Sequence, residues 1–185
     1  MADVWKPNED DHVDLSQIGT MGWLRFALRA IPIVMLILMC LTVLLVLRLI
    51  ERPLFGLGRP ITPYITQFVC RSAFRIMGMS FSVKGTHMTQ PGAVVANHSS
   101  WLDIFALNAA KRVYFVSKSE VANWLGIGVL AKATGTVFIE RNPRKAKAQQ
   151  EVFEARLKAG HKLLFFPEGT STDGLRVLPF KSTLF

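Results

Sequence analysis

His98 and Asp103 stand five residues apart in the run Asn97-His98-Ser99-Ser100-Trp101-Leu102-Asp103. On one continuous α-helix that spacing turns the side chains about 140° away from each other, and they would not meet. If His98 lies in a loop and Asp103 in the first turn of the helix that follows, the chain brings the carboxylate back to the imidazole. Ser99 or Ser100 can cap such a helix, beginning at Trp101. A carboxylate bonded to one ring nitrogen fixes the tautomer and leaves the other nitrogen to take a proton from an alcohol. That chemistry suits transfer of an acyl group from a thioester directly to a hydroxyl, with no serine or cysteine nucleophile. The plain alternative stays open at this point: a loop histidine, and an aspartate favoured by the positive end of a helix dipole. Two metal ligands form the weakest reading, because cysteine or histidine partners at ligand spacing are missing.

Two further polar clusters are Glu140-Arg141 and Pro167-Glu168-Gly169-Thr170. Each of the three follows a short run rich in Val, Ile or Phe. The strands expected are Phe81–Lys84, Ala93–Ala96, Val113–Val116, Thr136–Ile139 and Lys162–Phe166. Helix signals alternate with them: Ser119 ahead of Glu120, and Asn142-Pro143 opening a helix that Gly160 closes after Ala159. Alternation predicts an α/β fold, a mostly parallel sheet flanked by helices, with ligands beyond the carboxyl ends of the strands. Parallel strands would gather all three clusters on one edge of the sheet.

Residues 23–78 precede this body and are expected to anchor it. From Ile31 to Leu47 the chain carries no charge. A helix rising about 1.5 Å per residue over that run just spans a hydrocarbon core. About thirty mostly polar residues precede it and no small-residue cleavage site follows, which excludes a cleavable signal. Pro53, Gly56, Gly58 and Pro60 are expected to break the helix before a second apolar pattern over residues 61–77. Two helices around such a bend can dip into one leaflet and return, and a packed surface helix is the other reading of the second. Arginines flank both ends of the run, so orientation stays open. The tail, residues 1–22, holds five acids against Lys6, and the remainder carries +13 within a net charge of +9. The tail is expected to be disordered. A basic body on an anchored chain points to anionic lipid or an acidic carrier. No basic stretch is interleaved with aromatics as a base-stacking platform, and the anchor turns the reading from nucleic acid to lipid. Cys40 and Cys70 form no disulfide framework. Trp101 and Trp124 are expected in the core rather than at a membrane interface.

Asn97-His98 through Asp103 resembles the NHxxxxD block of the glycerolipid acyltransferase family, bacterial lysophosphatidate acyltransferases among them. Gly135-Thr136-Val137-Phe138-Ile139-Glu140-Arg141 is similar to the second block, GxxFIxR, and Phe166-Pro167-Glu168-Gly169-Thr170 to the third. The resemblance covers residues 81–185, and the helices before it resemble the family's membrane-binding helices. It implies His98 as general base, oriented by Asp103, with substrate bound by Asn97, Arg141, Glu168, Gly169 and Thr170. Arg141 would hold an acceptor head group through its planar fork of donors. It implies no metal and no cofactor, the co-substrate being an acyl-carrier-protein or coenzyme A thioester. The expected partners are the bilayer, a lysolipid and the thioester carrier, at a bacterial inner membrane with the site facing the cytosol.

The chain departs from the pattern in two places. Ser171 and Thr172 follow Thr170 where many lysophosphatidate enzymes carry an arginine. The run Glu168-Gly169-Thr170-Ser171-Thr172-Asp173-Gly174 resembles instead the branch that acylates lyso-ornithine lipid. Arg176 and Lys181 remain to supply positive charge. The chain also stops at Phe185 before the family's fourth block, so the catalytic domain, residues 79–185, is expected to be incomplete and to expose a sheet edge. An acyl-thioester hydrolase and a non-catalytic membrane fragment are the competing functions.

Overall fold

The computed structural model of the protein describes residues 15–140 and 142–181. Two helices come first, α1 over Thr20–Phe55 and α2 over Thr62–Met77. Then strands and helices alternate: β1 (Gly92–Val95), α3 (Leu102–Ala110), β2 (Tyr114–Lys118), α4 (Ile127–Thr134), β3 (Val137–Ile139), α5 (Ala146–Lys158) and β4 (Lys162–Phe165). The four strands pair in the order β1-β4-β2-β3, and every pair is parallel. Each helical crossover therefore returns the chain to the same starting edge. The carboxyl ends of all strands fall on the opposite edge, with residues 97–103, Glu140 and residues 167–170.

Burial explains the layers. Tyr114, Val116, Val137, Leu163 and Phe165 form one core cluster, closed by Phe153 and Leu157 of α5. Cys70 and Phe74 of α2 meet Ala109 of α3 in a second. The centre of the sheet is driest, Leu163 and Leu164 being 1% and 0% exposed. Each such leucine contributes about 2 kcal/mol by leaving water.

α1 is 36 residues long, about 54 Å at helical rise. It is the one helix among the described residues long and apolar enough to cross a membrane. Pro53, expected to break it, sits inside its last turn; it cannot donate to the carbonyl of residue 49, and the helix stops two residues later at Phe55. The helix ends at Gly56, whose φ of 57° no other residue tolerates as well. Glu51 then crosses the bend to start α2. Its carboxylate accepts the N–H groups of Ile61 (2.8 Å) and Thr62 (3.2 Å) and the Thr62 hydroxyl (2.7 Å), and Arg48 pairs with it at 3.1 Å. An anion at a helix amino end satisfies donors that have no partner inside the helix.

The bend is also tied to the sheet. Arg59 donates to the carbonyl of Ala133 at 2.7 Å, and His161 Nε2 to that of Leu57 at 3.0 Å. His161 is 3% exposed and stacks on Tyr114 at 4.0 Å, while its Nδ1 has no hydrogen-bond partner. Burial, and then the charge of Arg156, push this imidazole down to about 4. A folded value below the unfolded one, about 6.5, means that the stabilisation is complete above pH 6.5 and is lost as pH falls towards 4. We expect His161→Phe, which keeps the stack and cannot titrate, to remove that part of the decline. Melting temperature measured from pH 7.5 to 4.5 checks it: parent and variant curves that stay parallel would refute the assignment.

Other expectations are corrected. Phe81–Lys84 is not a strand. The ring of Phe81 instead stacks on Phe74 of α2 at 5.0 Å, which holds the segment on the helix, away from a strand partner. Ser119 opens a short 3-10 turn, Ser119–Asn123, rather than an α-helix. Asn142 does cap, its side chain accepting the Arg144 N–H at 3.0 Å, but a 3-10 turn intervenes before α5 starts at Ala146. Trp101 and Trp124 are not core residues; they are 62% and 56% exposed. Cys40 and Cys70 are both free and buried.

Candidate active site

The loop after β1 brings His98 and Asp103 together. Ser100 caps α3: its hydroxyl accepts the Leu102 N–H at 3.1 Å, and its carbonyl accepts the Asp103 N–H at 3.1 Å. The Asp103 carboxylate reaches back to the Ser100 N–H at 3.0 Å, so the turn is closed from both sides. The same oxygen, Oδ2, accepts the Ser99 N–H at 2.7 Å and lies 2.8 Å from His98 Nδ1. Burial alone would raise the Asp103 pKa. The Ser100 N–H, the His98 ring and the Ser99 N–H outweigh it and hold the carboxyl below its usual range. An ionised Asp103 makes Nδ1 the protonated nitrogen, and Nε2 keeps the lone pair that can accept a proton.

The peptide of His98 is held on both sides by the segment after β4. Its N–H donates to Glu168 Oε1 at 3.0 Å, and its carbonyl accepts the Thr172 N–H at 2.9 Å. The other Glu168 oxygen accepts the Leu178 N–H at 3.0 Å. Glu168 is 1% exposed. Expected among the groups that contact substrate, it lies behind the histidine and fastens two segments by backbone bonds. The His98 ring itself stacks on Phe166 at 4.1 Å and 17°, and Phe115 continues the stack at 5.8 Å. These contacts fix the plane of the ring as Asp103 fixes its rotation.

His98 lines a cavity of about 580 Å³. Ile37, Leu41 and Leu44 of α1 and Val69 of α2 form one wall, and Phe105 of α3 and Leu130 of α4 face them. The volume falls in the range of about 300–1,000 Å³ usual for small-ligand sites. A mostly apolar cavity with an imidazole in its lining is suited to an alkyl chain whose reactive end must reach that imidazole.

Of the remaining expected site residues, Asn97 is exposed on the loop. Gly169 makes the turn after β4 with φ 72° and donates to the Phe166 carbonyl at 3.0 Å. Thr170 is half-buried beside it. Arg141 lies outside the described residues. The residue before it, Glu140, pairs with Lys145 at 2.7 Å, and Gln149 brackets its backbone by bonds of 3.1 Å and 3.0 Å. With β2 between β3 and β4, strand spacing sets that end of the sheet about 10 Å from the Glu168 strand. Sequence reasoning missed Phe166 as a platform, Thr172 as a clamp and α1 as a cavity wall. Only Phe166 had a signal, its place immediately before the third cluster.

The acyltransferase family model matches residues 80–185. The lyso-ornithine lipid O-acyltransferase of Rhodobacter capsulatus is 62% identical over 161 residues, 87% of this chain and 58% of that protein. The protein of the same name from Brucella abortus is 42% identical over 123 residues, 65% of this chain and 46% of the relative. The 1-acyl-sn-glycerol-3-phosphate acyltransferase of Neisseria gonorrhoeae is 44% identical over 94 residues, 50% of this chain and 36% of the relative. The chain thus spans about half the length of the curated relatives it matches. No solved structure matches it.

Proposed function

The chain belongs to the acyltransferase family, and from that premise we propose that it moves a fatty acyl group from an acyl thioester to the free hydroxyl of a lysolipid, with lyso-ornithine lipid as acceptor. The observation that carries the mechanism is the 2.8 Å contact of Asp103 with Nδ1 of His98, a residue that lines an apolar cavity. His98 Nε2 takes the proton of the acceptor hydroxyl as its oxygen attacks the thioester carbonyl carbon. The carbon–sulfur bond breaks, and the thiolate leaves with the proton returned from the imidazolium, which Asp103 has stabilised. Carrier-protein and coenzyme A thioesters both meet this chemistry, and no further cofactor is required. Arg141 and Asn97 are proposed to meet the acceptor, with Gly169 and Thr170 shaping the turn beside it.

The anchor lies in one leaflet on this reading. Were α1 to stand upright with residues 31–47 across the hydrocarbon, Ile37 to Leu44 would lie near its middle. They line the same cavity as His98, so the sheet and the charged α5 would be drawn into lipid with them. A tilted hairpin avoids this. It places the exposed outer face of α1, including Met35, Leu38, Val46 and Leu49, in the lipid and leaves the body in water. Cytosolic thioesters put that body on the cytosolic side of an inner membrane.

Lyso-ornithine lipid is favoured by relatedness and by the residues after Thr170. An ornithine head group carries both an ammonium and a carboxylate. Asp173 and Arg176 pair at 3.0 Å, with side chains 24% and 61% exposed. Thr172 bonds the His98 carbonyl, and a methyl group at Gly174 would meet Ser99 at 3.3 Å, so the pair stands beside the reacting histidine. A zwitterion can exchange partners with such a pair, and a phosphomonoester cannot. The test supplies labelled acyl thioester and either lyso-ornithine lipid or 1-acylglycerol-3-phosphate to the full-length protein in vesicles. Ornithine lipid is the expected product. We expect Asp173→Asn to lower kcat/KM for lyso-ornithine lipid about 10-fold, the scale of one charge-assisted contact, without lowering it for the phosphate acceptor. Free fatty acid as the sole product would refute transfer in favour of hydrolysis.

A further inference from the structure

We propose that a second surface of the protein, separate from the helical hairpin, enters the lipid leaflet: the apolar rim made by the start of α3 and the turn into α4. Trp101, Ile104, Trp124 and Ile127 are 62%, 43%, 56% and 51% exposed, and all four also line the cavity that holds His98. Side chains that face both a cavity and the outside mark its mouth. Leu125 projects from the same turn and is fully exposed, with Val129 beyond it more than half exposed. From Val121 to Ala131 the sequence carries no charge; Lys118 and Glu120 stand before the run and Lys132 follows it. An uncharged apolar loop with a tryptophan, flanked by charged residues of which Lys118 and Lys132 are cations, matches the gradient from acyl chains to polar head groups.

The occupant is lipid because the rim continues a surface already assigned to lipid. α4 packs against α1, and the α1 residues opposite the rim, Ile37 and Leu41, line the same mouth. Their outward neighbours Val34, Leu38 and Leu45 are exposed. Helix and rim thus border the opening on both sides with apolar side chains. An opening so bordered lies inside the leaflet, and a lysolipid reaches His98 by sliding sideways, its chain never crossing water. The inference rests on the hairpin lying in the membrane.

The test uses full-length protein in phosphatidylcholine/phosphatidylglycerol vesicles whose acyl chains are brominated near the glycerol. One version keeps Trp124 alone, the other tryptophans being Phe. A second carries Leu38→Trp in a tryptophan-free background and reports the anchor. Quenching of both emissions at least two-fold is the expected result. Quenching of the Leu38→Trp version alone overturns the rim and leaves the anchor standing; quenching of neither overturns both. If the tryptophan replacements unfold the chain by circular dichroism, Leu125→Asp in the otherwise native protein decides. Its KM for lysolipid presented in vesicles should rise about 10-fold, the scale of one displaced apolar contact, with a water-soluble short-chain lysolipid unaffected. An unchanged KM in vesicles overturns the proposal.

Discussion

His98→Ala will lower kcat about 1,000-fold, within the span usual for a lost general base. The turn before α3 is held by other groups, and the Glu168 tie holds the backbone N–H of residue 98, which alanine keeps, so melting temperature should move little. On the proposed mechanism, what disappears is the group that takes the hydroxyl proton. Asp103→Asn should produce a loss of similar size for a different reason. The amide cannot accept three donors at one oxygen, as Oδ2 does for His98, Ser99 and Ser100, and it removes the charge that stabilises the imidazolium. The double variant should be little worse than either single one, because the two residues act as a unit. Single-turnover acylation in vesicles checks all three. Losses that multiply in the double variant would show that His98 and Asp103 work independently.

Glu168→Gln should cost about 100-fold in kcat with the acceptor KM nearly unchanged. The carboxylate uses one oxygen for His98 and the other for Leu178. Glutamine has a single acceptor oxygen, and its amide N–H groups would face a backbone donor in a dry site. One buried N–H is then left without a partner, a loss of about 1–3 kcal/mol in stability. The histidine peptide moves, and a shift of about 1 Å at a reacting group costs on the order of 100-fold. Melting temperature and kcat should therefore fall together. If instead KM for the acceptor rises while kcat and melting temperature hold, Glu168 touches substrate and its place behind the histidine is misassigned.

The sheet and its reactive edge were legible because their signals are local. The runs around Val94, Val116, Phe138 and Leu164 are short and apolar, three of them are followed in phase by polar clusters, and parallel pairing did the rest. The return of Asp103 to His98 was legible for a similar reason: two serines in the intervening turn have few other uses. Phe81–Lys84 shows the limit. Its composition suits a strand, but pairing depends on a neighbour that composition does not name, and Phe74 claimed the phenyl ring. Trp101 and Trp124 were misread because size and apolarity measure only the gain from leaving water, and these two border an opening. The direction of Glu168 was invisible, since a glutamate that contacts a ligand and one that accepts two backbone N–H groups are spelled alike. The cavity left no periodic trace, being assembled from helices far apart in the chain.

The wall that α1 lends to the chamber has a practical consequence for anyone preparing this protein. Trimming the hydrophobic hairpin to gain a soluble piece would strip one side from the cavity and leave Phe105 and Leu130 facing solvent. The greasy segment usually discarded as a purification nuisance is here one wall of the hollow that His98 borders.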